Sequence, residues 1–300
     1  MKLKKLVAVG PVNMLPGGRE RCREYAEKVV FYDTQPRDAQ EIAERVGDAD
    51  GMLVSYNHLI GKEILSCCPN LRYVGMCCSL YSEESASVDI RYAREHGITV
   101  TGIRDYGDAG VAEYVLEELF PLLHGNHGWQ PFFGEPSEIT GLQVGILGMG
   151  TTGQVIAEAM RFFGADIGYY SRTRKPDLER EKGYQYQNLE NLLQNSQVIF
   201  SCLSKNTVLL HAAEFSRMGS DKILFNTSLS PSFERSALEE WLKLPNTWLF
   251  CDTLMALGSE KLLENPRVRC MQKSAGMTRQ AVIRLNEKVL ENLKRYVDEN

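Results

Sequence analysis

A chain of 300 residues with 43% hydrophobic and 24% charged content is longer than one compact core usually takes, so two domains are expected. A formal charge of -5 gives no electrostatic reason for a nucleic-acid or anionic-membrane partner. No apolar run approaches the roughly 18 residues that a membrane helix needs.

The start, MKLKKLVAVGPVNML, places basic residues before an apolar stretch, but Pro11 and Asn13 interrupt it and no small-residue cleavage site follows. LVAVG is therefore predicted as a first strand. The chain then alternates RERCREYAEKV, VVFY, RDAQEIAERV, GMLVS, GKEILSCC, LRYVGM, VDIRYAREHG and ITVTG, short apolar runs between polar helical stretches. Such alternation implies a parallel sheet covered on both faces. The eight cysteines include the adjacent pairs Cys67-Cys68 and Cys77-Cys78 but no C-x-x-C. Reduced thiols in a cytoplasmic protein are the expectation.

A longer helix is predicted from about Gly110 to His124, with Pro121 bending it or marking its last turn. His124 and His127 have helical metal spacing but no evident third ligand, so no metal is expected. From Leu142 the alternation resumes, through LQVGIL, TGQVIAEAMRFFG, ADIGYY, LENLLQN, QVIFSCL, KILFN, ALEEWLKL, TWLFCD and RVRCMQ. The chain ends in the amphipathic stretch AVIRLNEKVLENLKRYV, whose apolar stripe must dock on something, with the first domain as the expected partner.

Gly148, Gly150 and Gly153 form G-x-G-x-x-G between an apolar strand and an amphipathic helix, with the strand ADIGYY behind. That context marks a dinucleotide-binding turn. The first glycine allows the tight turn, the second lets the backbone approach a pyrophosphate, and the third brings helix and strand close. Met149, Thr151 and Thr152 fill the same turn. An acid at the end of the next strand would hold an adenosine ribose and repel a 2′-phosphate. Ser171, Arg172, Thr173, Arg174 and Lys175 stand there instead, which predicts NADP over NAD.

With PNLRYVG, VDIRYAREHGITVTG, VAEYVLEEL, GLQVGILGMGTTGQVIAEAMRFFGA and ILFNTS, the chain resembles the D-isomer-specific 2-hydroxyacid dehydrogenases over most of its length. The resemblance implies two doubly wound α/β domains. A flavodoxin-like substrate domain would comprise residues 1–103 with 278–300, and a Rossmann dinucleotide-binding domain, residues 104–277, would be inserted in it. It also implies a homodimer through the second domain, and it adds Leu203, Thr227, Ser228 and Asp252 to the cofactor site.

The family's three catalytic groups do not carry over. Its substrate-anchoring arginine falls on Leu229, its glutamate near Leu257, and its acid histidine on Lys273. Lys273, flanked by Leu229 and Leu257, becomes the candidate proton donor or polarising cation. The glycine-rich substrate loop becomes GMCCSLYSEESASVD, in which Cys77, Cys78 and Ser79 are candidate pocket residues and Glu83 and Glu84 would disfavour an anion unless they point to solvent. Core thiols are the alternative for both cysteines. Together these features predict an NADPH-dependent reductase of a small, non-standard ketone, imine or activated alkene. The competing reading is a cofactor-binding sensor that has lost catalysis.

Overall fold

Unbroken apolar runs become strands buried on both faces: every residue of Gly51–Val54, Val198–Ser201 and Lys222–Asn226 is buried. That burial requires a parallel sheet with helices on each side. The computed structural model describes all 300 residues and divides them into two units.

The first unit comprises Met1–Tyr106 and Thr278–Asn300. Its strands are β1 (Leu3–Ala8), β2 (Ala26–Phe31), β3 (Gly51–Val54), β4 (Tyr73–Ser79) and β5 (Thr99–Ile103), all parallel, in the order β2-β1-β3-β4-β5. This is the flavodoxin-like order. The C-terminal helix Arg279–Glu299 starts at Thr278, whose hydroxyl accepts the Ala281 amide at 3.1 Å. Its stripe of Leu285, Val289, Leu290 and Leu293 packs with Leu3, Leu6, Tyr73 and Cys77. Each such side chain contributes about 1.5–3 kcal/mol when fully buried.

Two local readings need correction here. RERCREYAEKV is not one helical stretch: a helix over Pro16–Arg21 tightens into a turn at Cys22–Glu24, and the edge strand β2 already begins at Ala26. The β-branched pair Val29-Val30 decides the second half in favour of strand. Cys77 and Cys78 do not enter a loop, because β4 continues to Ser79 and stays buried on both faces.

The second unit is Gly107–Met277. Its strands are β6 (Gln143–Leu147), β7 (Asp166–Tyr170), β8 (Gln185–Tyr186), β9 (Val198–Ser201), β10 (Lys222–Asn226), β11 (Thr247–Cys251) and β12 (Val268–Cys270). They form one parallel sheet of order β12-β11-β10-β9-β6-β7-β8. Counted from β6 this is the dinucleotide-binding order, extended by one strand. The chain runs outward through β7 and β8, then returns to the other side of β6 at β9. The carboxyl ends of β6 and β9 are therefore the switch point where a ligand is expected.

The long helix runs Asp108–His124, with Pro121 in its last turn and Gly125 closing it at φ 70°. No helix of the chain is long and apolar enough to cross a membrane. The fold is the pair of parallel α/β sheets that the alternation predicts.

Candidate functional site

At the end of β6 the backbone turns through Gly148 at φ +94°, where a side chain would be strained and its Cβ would lie 2.6 Å from the Cys202 carbonyl oxygen. A Cβ on Gly153 would lie 2.2 Å from the Gly148 carbonyl oxygen. Both glycines are thus required by neighbouring main chain, which cannot swing away. Gly150 is different: its φ of -81° suits any residue and nothing lies within 4 Å of the Cβ it lacks. The space above it is open, and it precedes the 12-residue helix Thr151–Phe162, whose first turn has no side-chain cap. Free amides, the positive dipole end and an open approach form a cradle for a pyrophosphate. The residues fit a dinucleotide.

Around this turn the candidate residues divide. The Met149 side chain belongs to the core, so only its main chain is left for a ligand. Thr151 is exposed. Thr152 donates its hydroxyl to Asp108 Oδ1 at 2.5 Å, a partnership across 44 positions that the sequence does not announce. Asp108 also helps, through its charge, to raise the Cys202 thiol, although burial is the larger cause in pushing that group up to about 12. Cys202 and Asp108 are therefore neighbours of the cofactor turn that motif reading missed.

At the end of β7, Ser171 donates to the Thr173 carbonyl oxygen at 2.6 Å and closes the turn on itself. Arg174 is committed: its guanidinium grips Glu179 through two bonds of 2.8 and 2.6 Å, and Tyr169 donates its hydroxyl to the same carboxylate. The Arg174 bond, the larger cause, holds Glu179 down at about 2. Arg172 and Thr173 are exposed, and the Arg172 guanidinium has no protein partner. Of the three cations in this loop, then, Arg172 and Lys175 are left for a phosphate and Arg174 is not.

The segment after β10 is held by Asn226, whose amide donates to the carbonyls of Ser230 at 3.1 Å and Ala256 at 2.9 Å. Thr227 donates to the Ser201 carbonyl at 3.0 Å, and the Ser228 hydroxyl accepts the Leu203 amide at 2.9 Å. These bonds join the ends of β9 and β10, beside the switch point. Leu229, next in the chain, is 50% exposed. Asp252 follows β11 and is buried, which pushes its carboxyl above the usual range against the opposing amide of Ala275 at 3.1 Å. Its carbonyl accepts the Lys273 amide at 2.9 Å, so Asp252 fixes the loop that carries Lys273.

Several sequence expectations are corrected by burial. Leu257 is 1% exposed and packs in the second unit's core with Cys251 and Leu262, so it presents no surface to a substrate. Cys77 faces the C-terminal helix and Cys78 the opposite core, as neighbours on a strand must. Neither lines a pocket, and burial raises the Cys77 thiol far above its ordinary range. Ser79, the last residue of β4, is partly exposed. Lys273 is exposed and its ammonium has no partner, so apolar walls do not enclose it. Glu83 pairs with Arg94, and Glu84 is solvated with its carboxyl lowered by its own amide and Ser82.

Residues 123–249 match the family model described as D-isomer specific 2-hydroxyacid dehydrogenase, NAD binding domain. A glyoxylate reductase of Aeropyrum pernix is 26% identical over 305 residues, covering 93% of this chain and 89% of the relative. One from Thermococcus kodakarensis is 27% identical over 245 residues, or 75% of this chain and 72% of that one. Among solved structures, an acyclic imino acid reductase in complex with NADPH and D-Arg superposes with a TM-score of 0.83 at 22% identity, over 98% of this chain and 97% of that one. That last likeness is one of fold.

Proposed function

We propose that this chain, which matches the NAD binding domain of the D-isomer-specific 2-hydroxyacid dehydrogenases and is an NAD(P)-dependent oxidoreductase, is an NADPH-dependent reductase of a non-standard carbonyl, imine or activated-alkene substrate. The free Arg172 at the end of β7, with no acid beside it, supports the 2′-phosphate of the cofactor. The half-exposed Leu229, where the family resemblance places an arginine, is the observation that carries the change of substrate.

Gly148, Gly150 and Gly153 would hold the pyrophosphate on the helix amides, with Thr227, Ser228 and Asp252 toward the nicotinamide end. A bound NADPH supplies the hydride. The protein's remaining task is to align the acceptor and deliver a proton to the oxygen, nitrogen or carbon that gains charge. Lys273 is the proposed source: its loop is set by the Lys273 amide on the Asp252 carbonyl and the Ala275 amide on the Asp252 carboxylate, and its amine is free to donate. Its exposure is also the one observation that favours the second reading, a cofactor-binding sensor without turnover.

A homodimer through the dinucleotide-binding unit belongs to the same proposal. Phe162, 82% exposed on that unit, is the kind of apolar surface such a contact would cover.

Leu229 cannot form the paired hydrogen bonds that a guanidinium gives a carboxylate. Glyoxylate, pyruvate and hydroxypyruvate are therefore expected to be reduced poorly or not at all, while a panel of larger ketones and imines contains an acceptor that oxidises NADPH. Efficient turnover of the three small acids would overturn the altered-substrate reading. Absence of any acceptor across the panel would favour the sensor.

A further inference from the structure

At one edge of the second unit's sheet β11 and β12 pair in parallel, with Leu249 opposite Val268, Phe250 opposite Arg269 and Cys251 opposite Cys270. Residues in register point to the same face of a sheet, and the packing agrees: Leu249, Val268, Cys251 and Cys270 all lie in or against the core that contains Leu257 and Leu262. Two thiols are therefore side by side on one face. A strand spacing of about 4.7–4.9 Å puts their Cα atoms within the range of about 4.4–6.8 Å that a disulfide spans.

All eight cysteines are reduced, and the remaining six offer no equivalent pair. Cys22 and Cys77 share the first unit's core, but both are fully buried, so an oxidant reaches neither. Cys77 and Cys78 face opposite cores. Cys67 is exposed while Cys68 packs inward, and Cys202 lies beside the Thr227 hydroxyl. Only the strand pair sets a partly exposed sulfur, Cys270, next to a wholly buried one, Cys251. Burial raises both thiols, and the neighbouring Cys270 sulfur raises Cys251 further, whereas a hydrogen bond from the Gln272 amide opposes the rise at Cys270. Cys270 is the sulfur that ionises first and that an oxidant meets.

β12 leads directly into the loop of Lys273. Gln272 stands there at φ +59°, in the left-handed region. Three amides hang the loop on the end of β11: Met271 on the Cys251 carbonyl at 3.1 Å, Lys273 on the Asp252 carbonyl at 2.9 Å and Ala275 on the Asp252 carboxylate at 3.1 Å. β12 has three residues and a neighbour on one side only, whereas β11 is held between β10 and β12. A disulfide brings its Cβ atoms to about 3.8 Å, closer than the strand spacing, so the edge strand must move and take the loop with it.

We infer that Cys251 and Cys270 form an oxidation site, which closes a disulfide on exposure to a hydroperoxide and shifts the Lys273 loop away from Asp252. The Cys270 thiolate attacks one peroxide oxygen; the S–O bond forms, the O–O bond breaks, and the departing hydroxide takes a proton to become water. The Cys251 sulfur then displaces hydroxide from the Cys270 sulfenic acid. The S–S bond forms, the S–O bond breaks, and the Cys251 proton leaves with the hydroxide as a second water. The two thiols lose two electrons and the peroxide gains them. A dithiol reverses the step by exchange. This goes beyond the reductase reading, since it requires neither cofactor nor substrate.

Hydrogen peroxide added to the full-length protein, followed by alkylation, trypsin digestion and mass spectrometry, tests the bond. Lys261, Arg267 and Arg269 place the two cysteines in different peptides. The expected product is those peptides crosslinked, separable by dithiothreitol and absent from Cys251→Ala and Cys270→Ala. Cys251→Ala should instead hold Cys270 as a sulfenic acid that dimedone traps, while Cys270→Ala should leave Cys251 unmodified. Hydrogen exchange tests the loop: the Lys273 and Ala275 amides should exchange about 10-fold faster in the oxidised protein, the worth of one hydrogen bond, and at the reduced rate in peroxide-treated Cys251→Ala. Oxidation that leaves these two peptides unlinked, or that modifies Cys251 without Cys270, would overturn the site. A crosslink with unchanged exchange would overturn its hold on the Lys273 loop.

Discussion

Gly150→Ala is expected to bind NADPH about 10-fold to 100-fold more weakly than wild type, the equivalent of one or two hydrogen bonds to a charged group, and to unfold at the same temperature. The added methyl meets no protein atom within 4 Å and the backbone there is acceptable to alanine, so the folded protein has nothing to relax. It would occupy only the space through which a pyrophosphate reaches the helix amides. Gly153→Ala is the informative contrast. Its Cβ would overlap the Gly148 carbonyl, so helix and strand must separate, with a stability cost of about 1–3 kcal/mol as in other overpacked sites. Isothermal titration and thermal melts on both variants separate a ligand cradle from an ordinary tight turn. Full NADPH affinity in Gly150→Ala would mean that the open space above the turn is not the phosphate site.

The second large effect is expected at Lys273. Lys273→Met should leave NADPH affinity and thermal stability unchanged, because the exposed amine has no partner to lose and the loop is held by its amides on the carbonyl and carboxylate of Asp252. Turnover of the acceptor found by screening should fall about 100-fold or more, the range for loss of a general acid or a polarising cation. Lys273→Arg would keep the charge but not the readily transferred proton, so activity retained in arginine and lost in methionine would identify electrostatic polarisation as its role. Unchanged turnover in the methionine variant would remove Lys273 from the chemistry.

Much of this fold is legible in the sequence because parallel strands covered on both faces must be apolar at nearly every position. Val198–Ser201 and Lys222–Asn226 stand out for that reason, and the glycine turn between β6 and its helix for the steric reasons now visible at Gly148 and Gly153. The errors fall where periodicity carries little information. The helix Pro16–Arg21 has six residues, too few to separate from the strand that follows it. The end of β4 is not legible because Cys77 and Cys78 fit an inward-facing strand and a loop equally well by composition. Leu257 matches a catalytic position by its spacing from Asp252, yet the short helix Leu254–Leu257 turns it into the core.

The polar details least accessible to sequence join distant positions. Thr152 meets Asp108, and Arg104 meets Leu80 and Tyr81, across more than 20 positions of chain in each case. No local pattern encodes such pairs, since each depends on which strand ends the sheet order brings together. Arg174 shows the reverse error: as a charge in a basic loop it counts toward phosphate binding, but Glu179 on the following helix claims it.

NADPH and NADH titrated side by side into the wild-type protein test the cofactor assignment most directly. NADPH should bind at least about 10-fold more tightly, since a 2′-phosphate gains a charge-assisted contact of about 1.5–3 kcal/mol from Arg172, and Arg172→Ala should remove most of that difference. Equal affinities, or tighter binding of NADH, would contradict it.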